Sequence, residues 1–224
     1  MGAPLCNSNP IDAALLNLHA RIEMFKNLST EQLVIMPTTE SAYGKNGGVC
    51  NEETASNPLS TYAEHAVEVE KALLERDKSV SLRLATVFGM SPRMRLDLLV
   101  NDFVWRAQKD RAFVLFESQY RRTCVHVTDV ARAFIFALDK NLRGIYNVGS
   151  VTLTKQSLCE TINKHLAFTF LEADFEKDLD QRDYIVSDEK IRSAGFLPLV
   201  VLDTGILELL KGYRMLSNTR HGNV

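Results

Sequence analysis

Three hydroxyl-bearing side chains, Thr38, Thr39 and Tyr62, stand where they can move a proton to or from a substrate. The two threonines follow an apolar run at residues 33–36, which predicts a buried parallel strand that stops at Pro37. Because ligands of open α/β sheets bind beyond the carboxyl ends of the strands, we expect both threonines at the edge of a site. Tyr62 lies on the first turn of the next predicted helix. Its phenol and a threonine hydroxyl can therefore meet at one substrate oxygen.

A tyrosine needs help to act as a base at neutral pH. With its ordinary pKa of about 10, a phenol is ionised in only about one molecule in 10³ at pH 7. A nearby positive charge must therefore lower this pKa. The residue one turn after Tyr62 is Ala66, and Lys71 lies about half a helical revolution from Tyr62. His65 is three residues on but is usually neutral. We therefore expect this helix to lack the charge that would tune Tyr62.

The composition is that of an ordinary globular protein that can bury a core. The chain has 224 residues, of which 46% are hydrophobic and 24% are charged. Its net charge of −2 argues against nucleic acid or an anionic membrane as a partner. We find no signal-peptide pattern and no long apolar run, so we expect no membrane anchor and a cytoplasmic location. The four cysteines lack metal-ligand spacing, so we expect reduced thiols and no metal site.

Several segments resemble, in order, the motifs of a known family. They read PTTESAYG at residues 37–44, RLATVFG at 83–89, RTCVHVTDVARA at 122–133, YNVGS at 146–150 and QRDYIVSDEKI at 181–191. Together with the tyrosine helix, these segments resemble the motifs of the NAD-dependent epimerase/dehydratase family. The members of this family are extended short-chain dehydrogenase/reductases that act on nucleotide sugars. The resemblance implies an enzyme that epimerises, dehydrates or reduces a nucleotide-linked sugar through a transient keto-sugar, with NAD as cofactor.

The resemblance also implies roles for individual residues. Tyr62 would be the catalytic acid or base and Thr39 its catalytic hydroxyl partner, while Thr38 and Tyr62 would contact the cofactor. Thr86, Arg122 and Arg182 would bind the substrate, and the planar guanidinium group suits the diphosphate of a nucleotide sugar. Surface ion pairs with neighbouring acids are the alternative for both arginines.

The chain departs from the family pattern at two places. Ala66 stands where the family has a lysine that binds the nicotinamide ribose, and the sequence contains no glycine-rich dinucleotide-binding turn. We therefore interpret the chain as an N-terminally truncated member. The expected fold is α/β, with a partial doubly wound, Rossmann-like parallel sheet that lacks its first strands and a small mixed α/β substrate-binding lobe. We place these parts at residues 1–90 and 91–224.

Two further expectations concern partners. The resemblance implies a homodimer that packs through helices at 9–28 and 61–76, with Asn17 at the position of a family asparagine. It also leaves two alternatives to an enzyme. The chain can be a non-catalytic module that binds sugar nucleotides or dimerises with a relative. It can instead be one half of a split enzyme, in which case the strand at 33–36 would have an exposed edge.

Overall fold

The computed structural model describes residues 2–46, 48–173 and 184–216. Its helices are α1 (Ala3–Ser8), α2 (Pro10–Ala14), α3 (Ala20–Asn27), α4 (Thr61–Leu74), α5 (Leu99–Lys109), α6 (Val127–Asp139), α7 (Lys155–Asn163), α8 (Glu189–Ser193) and α9 (Leu202–Met215). Its strands are β1 (Val34–Thr39), β2 (Val49–Cys50), β3 (Ser79–Leu84), β4 (Thr86–Phe88), β5 (Ala112–Phe116), β6 (Arg121–His126), β7 (Gly144–Val148), β8 (Val151–Thr154), β9 (Thr169–Ala173) and β10 (Ile185–Val186). This is an α/β fold, as the sequence predicts.

The chain divides into two compact units. The first unit contains the residues up to 84 together with 132–148 and 186–196, and the second contains 85–131, 149–185 and the residues from 197 onward. Each unit is therefore assembled from separated stretches of sequence. The division into domains at residue 90 remains a prediction.

A parallel sheet with the strand order β1-β3-β7 forms the centre of the first unit. In its register Val34 pairs with Ser79, and Val80 pairs with Gly144. The central strand, β3, is buried on both faces, and its sequence SVSLRL combines apolar residues with two serines and Arg83. Side chains of β1, of α4 and of the N-terminal helices close one core, formed by Leu18, Phe25, Val34, Met36, Val69 and Leu73. The predicted Rossmann-like parallel sheet is thus confirmed.

The end of the first strand differs from the prediction. The first strand does not stop at Pro37 but continues to Thr39. The backbone N–H of Val34 donates to the carbonyl of Lys78. The backbone N–H and C=O groups of every second residue of β1 therefore point toward β3. Pro37 is one of the residues whose backbone groups point away from β3. Its missing N–H therefore costs no ladder bond. Strand β3 is followed closely by β4, but Ala85 separates the two strands, and β4 belongs to another sheet.

The N-terminal helical region is more broken than its pattern predicts. A π-helical turn at Leu15–His19 joins α2 to α3, and α1 precedes them. The apolar residues of the helix predicted at 9–28 are not all buried, because Ile11 is 77% exposed and Leu15 is 52% exposed. A π turn takes more residues per revolution than an α-helix, so it changes which side chains share a face.

The second unit contains two small sheets around its own core. One has the strand order β4-β6-β8 with an antiparallel β6–β8 pair, and the other is the parallel pair of β5 and β9. Strand β8 ends at Thr154, directly before α7. Thr154 caps this helix, because its hydroxyl accepts a hydrogen bond from the N–H of Ser157 at 3.1 Å. At the corner between β6 and α6, the buried carboxylate of Asp129 accepts hydrogen bonds from the N–H groups of Leu199 and Val200.

None of the helices in the described ranges has both the length and the apolar character that a bilayer crossing requires. Within those ranges, no three His, Cys, Asp or Glu side chains form a group suited to a metal ion. The four cysteines, Cys6, Cys50, Cys124 and Cys159, are buried and form no disulfide bond in the described part of the chain.

Candidate active site

Both predicted threonines lie at the carboxyl end of β1 in the first unit. They are buried, and a 3-10 helix at Glu40–Tyr43 follows them at once. The hydroxyl of Thr39 accepts a hydrogen bond from the N–H of Ser41 at 3.1 Å and so caps this short helix. The end of the strand is therefore a defined turn and not a loose loop.

Tyr62 is the second residue of α4, also in the first unit. The helix begins there because the hydroxyl of Ser60 accepts a hydrogen bond from the N–H of Ala63 at 3.3 Å. The Tyr62 side chain is half-buried. Its hydroxyl has no hydrogen-bond partner among the described residues, so a ligand can bind to it without displacing a protein contact.

A buried ion pair between Glu70 and Arg83 connects the tyrosine helix to the sheet. Glu70 lies two turns after Tyr62 on α4, and Arg83 lies on β3. The Arg83 Nη2 atom lies 2.5 Å from Oε1 of Glu70, and the two side chains are only 5% and 6% exposed. The Arg83 Nε atom also donates to both carboxylate oxygens, at 3.2 and 3.1 Å. Burial by itself would lower the pKa of Arg83. The hydrogen bonds and the negative charge of Glu70 have the larger effect, so the pKa of Arg83 is raised.

The same carboxylate holds the end of β1. Thr38 Oγ1 donates to Oε2 of Glu70 at 3.2 Å, and Ser81 Oγ donates to the same oxygen at 2.5 Å. The two hydroxyl oxygens lie 2.7 Å apart. The Thr38 hydroxyl, which the resemblance assigns to the cofactor, is therefore already occupied by protein groups in this structure.

Arg83 also connects the ion pair with Glu70 to the residues that follow β1. Its Nη1 donates to the hydroxyl of Tyr43 at 2.9 Å, and that hydroxyl donates to Oδ1 of Asn147 at 2.7 Å. The backbone N–H of Asn147 in turn donates to Glu52 Oε1 at 2.8 Å. Burial raises the pKa of Tyr43 to about 12, so its phenol remains neutral and serves as a structural link. One ion pair thus anchors both ends of the segment from Thr38 to Tyr43.

Sequence reasoning missed the role of this pair, although two signals for it are present. Arg83 is a charged residue in a strand that is otherwise apolar or small, and such a charge must find a partner when it is buried. Glu70 lies eight residues after Tyr62, so it is within about 80° of it around the helix. Neither signal says that the two residues pair with each other.

The residue one turn after Tyr62 has no side-chain group that could bind a cofactor. Ala66 is 6% exposed and has no polar side-chain atom. Lys71 is exposed, as its half-revolution from Tyr62 predicts. In the ranges that the structure describes, no strand leads into a glycine-rich turn and a helix N-terminus that could hold a diphosphate.

The predicted substrate residues belong to the second unit. Thr86 starts β4 and pairs with Cys124 of β6, so it lies two residues from Arg122 in the register of these parallel strands. Thr86 is half-buried and Arg122 is 3% exposed. Nη1 of Arg122 donates to the backbone carbonyl of Arg121 at 2.8 Å. Arg182 lies outside the described residues.

The chain is similar in sequence to known proteins. Residues 2–149 match the NAD dependent epimerase/dehydratase family. The chain is 27% identical over 214 residues to the dTDP-4-dehydro-6-deoxyglucose reductase of Escherichia coli, covering 89% of this chain and 68% of the reductase. It is 26% identical over 212 residues to the dTDP-D-glucose 4,6-dehydratase of Mus musculus, covering 88% of this chain and 59% of the dehydratase.

A solved structure shows the same fold. The UDP-glucose 4-epimerase of Thermotoga maritima, crystallised with UDP-glucose, superposes with a TM-score of 0.82 at 22% identity, over 95% of this chain and 74% of the epimerase. The match in sequence covers most of the chain, and the sheet and tyrosine helix occur in the order that the motifs imply. The chain therefore belongs to the NAD-dependent epimerase/dehydratase family.

Proposed function

We propose that this chain supplies the proton-transfer and substrate-binding residues of a protein that epimerises, dehydrates or reduces a nucleotide-linked sugar. In this proposal the Tyr62 hydroxyl exchanges a proton with a sugar hydroxyl, and Thr39 binds the same oxygen. Thr86, Arg122 and Arg182 bind the sugar and the diphosphate. Because the chain spans 68% and 59% of the two curated relatives, the activity of the whole protein is part of the proposal.

The observation that carries the proposal is the buried Glu70–Arg83 pair. It ties α4, which bears Tyr62, to the strand end that bears Thr39, through hydrogen bonds to Thr38 and Tyr43. A catalytic hydroxyl and its partner need support of this kind, because small errors of position cost much of the rate. The chain retains this support, which favours a functional arrangement over a relic.

The residues of this chain do not by themselves fit the family's cofactor, NAD. Ala66 has no group that could bind a ribose hydroxyl or tune Tyr62, and Thr38 is engaged with Glu70. The sequence also lacks the glycine-rich turn that would bind the pyrophosphate. We therefore derive no step that uses NAD from these residues.

This mismatch favours a second candidate, a non-catalytic sugar-nucleotide module. Such a module needs Arg122 and Arg182 but neither a lysine at position 66 nor a dinucleotide site. It would bind the nucleotide sugar and regulate or complement a complete relative. We propose a cytoplasmic location for either candidate, because the sequence shows no disulfide spacing of its cysteines.

Calorimetric titration distinguishes the candidates. The purified chain is titrated with UDP-glucose, dTDP-glucose and NAD. We expect saturable binding of a nucleotide sugar, and the Arg122→Gln variant should bind it about 10- to 100-fold more weakly, because a charge-assisted hydrogen bond is lost. The neighbouring Arg121→Gln variant is the control and should bind normally. NAD binding in the micromolar range would favour the enzyme, and its absence would favour the module. No nucleotide-sugar binding by a folded, monodisperse sample would contradict both.

We also propose that the chain forms a homodimer through the helical region at 9–28 and α4. Three exposed apolar side chains in the region at 9–28 support this proposal. Ile11, Leu15 and Leu16 are 77%, 52% and 57% exposed. The Leu15→Glu variant should be monomeric in sedimentation equilibrium at concentrations where the unmodified chain is dimeric. Leu207→Glu is the control, because Leu207 is also an exposed leucine but lies on α9. A monomeric unmodified chain would refute the dimer.

A further inference from the structure

Two predicted substrate residues, Thr86 and Arg122, lie on one face of the sheet β4-β6-β8. The parallel strands β4 and β6 pair Thr86 with Cys124 and Phe88 with His126. Because side chains alternate between the faces of a strand, Arg122 shares a face with Cys124 and therefore with Thr86. Strand β4 has only three residues. So short a ladder specifies register weakly, and the spacing between Thr86 and Arg122 depends on contacts beyond the strand ends.

Glu208 of α9 contacts the chain at the end of both strands. Its Oε1 atom accepts a hydrogen bond from the backbone N–H of Met90, two residues after β4, at 2.8 Å. Its Oε2 atom lies 3.2 Å from Nε2 of His126, the last residue of β6. This second contact is electrostatic and is not an aligned hydrogen bond. One carboxylate thus links the end of β4 to the end of β6.

The hydrogen bonds of His126 make this residue a structural link and not a catalytic base. Its Nδ1 atom accepts a hydrogen bond from the N–H of Thr128 at 3.3 Å, so the proton of the neutral ring is on Nε2. Neither nitrogen of that ring can then accept a proton from a substrate. The N–H at Nε2 is directed to the carboxylate of Glu208, whose negative charge suits a hydrogen-bond donor.

The ring of His126 fills the space between the turn after β4 and helix α9. Gly89 has a φ of 117°, and a β-carbon at this position would lie 2.5 Å from Nε2 of His126. A β-carbon on Gly205 of α9 would lie 3.1 Å from Cδ2 of the same ring. Phe88 contacts the ring edge to face, with 5.3 Å between the ring centroids. Because these groups are closely packed, a displacement of Glu208 shifts the ends of both strands.

We propose that Glu208 is a positioning residue for substrate binding, which holds β4 and β6 so that Thr86 and Arg122 contact one nucleotide sugar together. This inference rests on the proposed function, in which Thr86 binds the sugar and Arg122 binds the diphosphate. UDP-glucose needs both contacts, whereas UDP needs only the contact to the diphosphate. Loss of Glu208 should therefore weaken the binding of UDP-glucose and leave the binding of UDP nearly unchanged.

Calorimetric titration of the full chain with UDP-glucose and with UDP tests the proposal. The Glu208→Leu variant should bind UDP-glucose about tenfold more weakly and UDP within about twofold of the unmodified chain. The side chain of Glu208 is 39% exposed, so we expect this variant to fold. Thr86→Val should show the same ligand preference, and the double variant should show no second loss of similar size. Glu160→Leu, at an exposed glutamate of α7, is the matched control and should bind both ligands normally.

Amide exchange measured by NMR gives a second readout that needs no ligand. The Met90 N–H should exchange about tenfold faster in Glu208→Leu, but at the unmodified rate in Glu208→Gln, which keeps an acceptor for it. Equal exchange in all three proteins would refute the proposal. Equal weakening of both ligands by Glu208→Leu, no weakening, or failure of this variant to fold would also refute it. An unmodified chain that binds neither ligand would contradict the proposed function, and the positioning role with it.

Discussion

The Arg83→Met variant is expected to lose about 3–5 kcal/mol of unfolding free energy, because it leaves the Glu70 carboxylate buried without its partner. The two side chains are 5% and 6% exposed, so water cannot replace the guanidinium. The Thr38 and Ser81 hydroxyls remain bonded to Glu70 but carry no charge. Tyr43 also loses its donor from Arg83, which loosens the segment after β1.

Urea unfolding followed by circular dichroism measures this loss. The chain has a single tryptophan, Trp105, in the second unit, so its fluorescence reports on that unit separately. Lys78→Met is the matched control in the first unit, because the Lys78–Glu31 pair is exposed and should contribute little to the unfolding free energy. The double variant with Glu70→Met should recover part of the loss, since it removes the unpaired charge. Equal effects of Arg83→Met and Lys78→Met would refute the structural role of the buried pair.

The Gly44→Ala variant is expected to be destabilised by about 3 kcal/mol or more, through backbone strain and a steric clash. Gly44 ends the 3-10 helix with φ of 63° and ψ of −127°, a conformation open essentially to glycine alone. A β-carbon at this position would lie 1.6 Å from the carbonyl oxygen of Asn57. Asn57 is itself fixed, because its N–H donates to the carbonyl of Ala42 at 2.8 Å. The backbone has little room to move away.

A second glycine of the same loop provides the control for Gly44. Gly48 has no heavy atom within 4 Å of the position of an added β-carbon, so Gly48→Ala should change stability by at most about 1 kcal/mol. Thermal unfolding followed by circular dichroism compares the two variants. We also expect Gly44→Ala to change the free energy of nucleotide-sugar binding by less than the free energy of unfolding. The reason is that the predicted substrate residues Thr86 and Arg122 lie in the second unit. A stable Gly44→Ala protein would show that the turn does not require glycine.

Patterns that depend on neighbouring residues were readable in the sequence. The strand that begins in the run at residues 33–36 and the helix that carries Tyr62 follow from apolar runs and helix-start signals, which act over a few residues. The family motifs are likewise contiguous. The placement of Thr39 at a strand end and Tyr62 on the first turn of a helix therefore agrees with the structure, while their chemical roles remain predictions.

The sequence by itself determined the family, the parallel α/β sheet and the positions of the hydroxyl-bearing residues along their elements. Only the tertiary structure decided that Glu70 pairs with Arg83 and that Thr38 is held by this pair. It also decided that Pro37 can lie within β1, because its backbone points to the edge of the sheet at which the described residues contain no partner strand. The physical reason is distance along the chain. Contacts such as the one between Tyr43 and Asn147 join residues 104 positions apart, and no local pattern of residue types encodes which of the buried polar groups will meet.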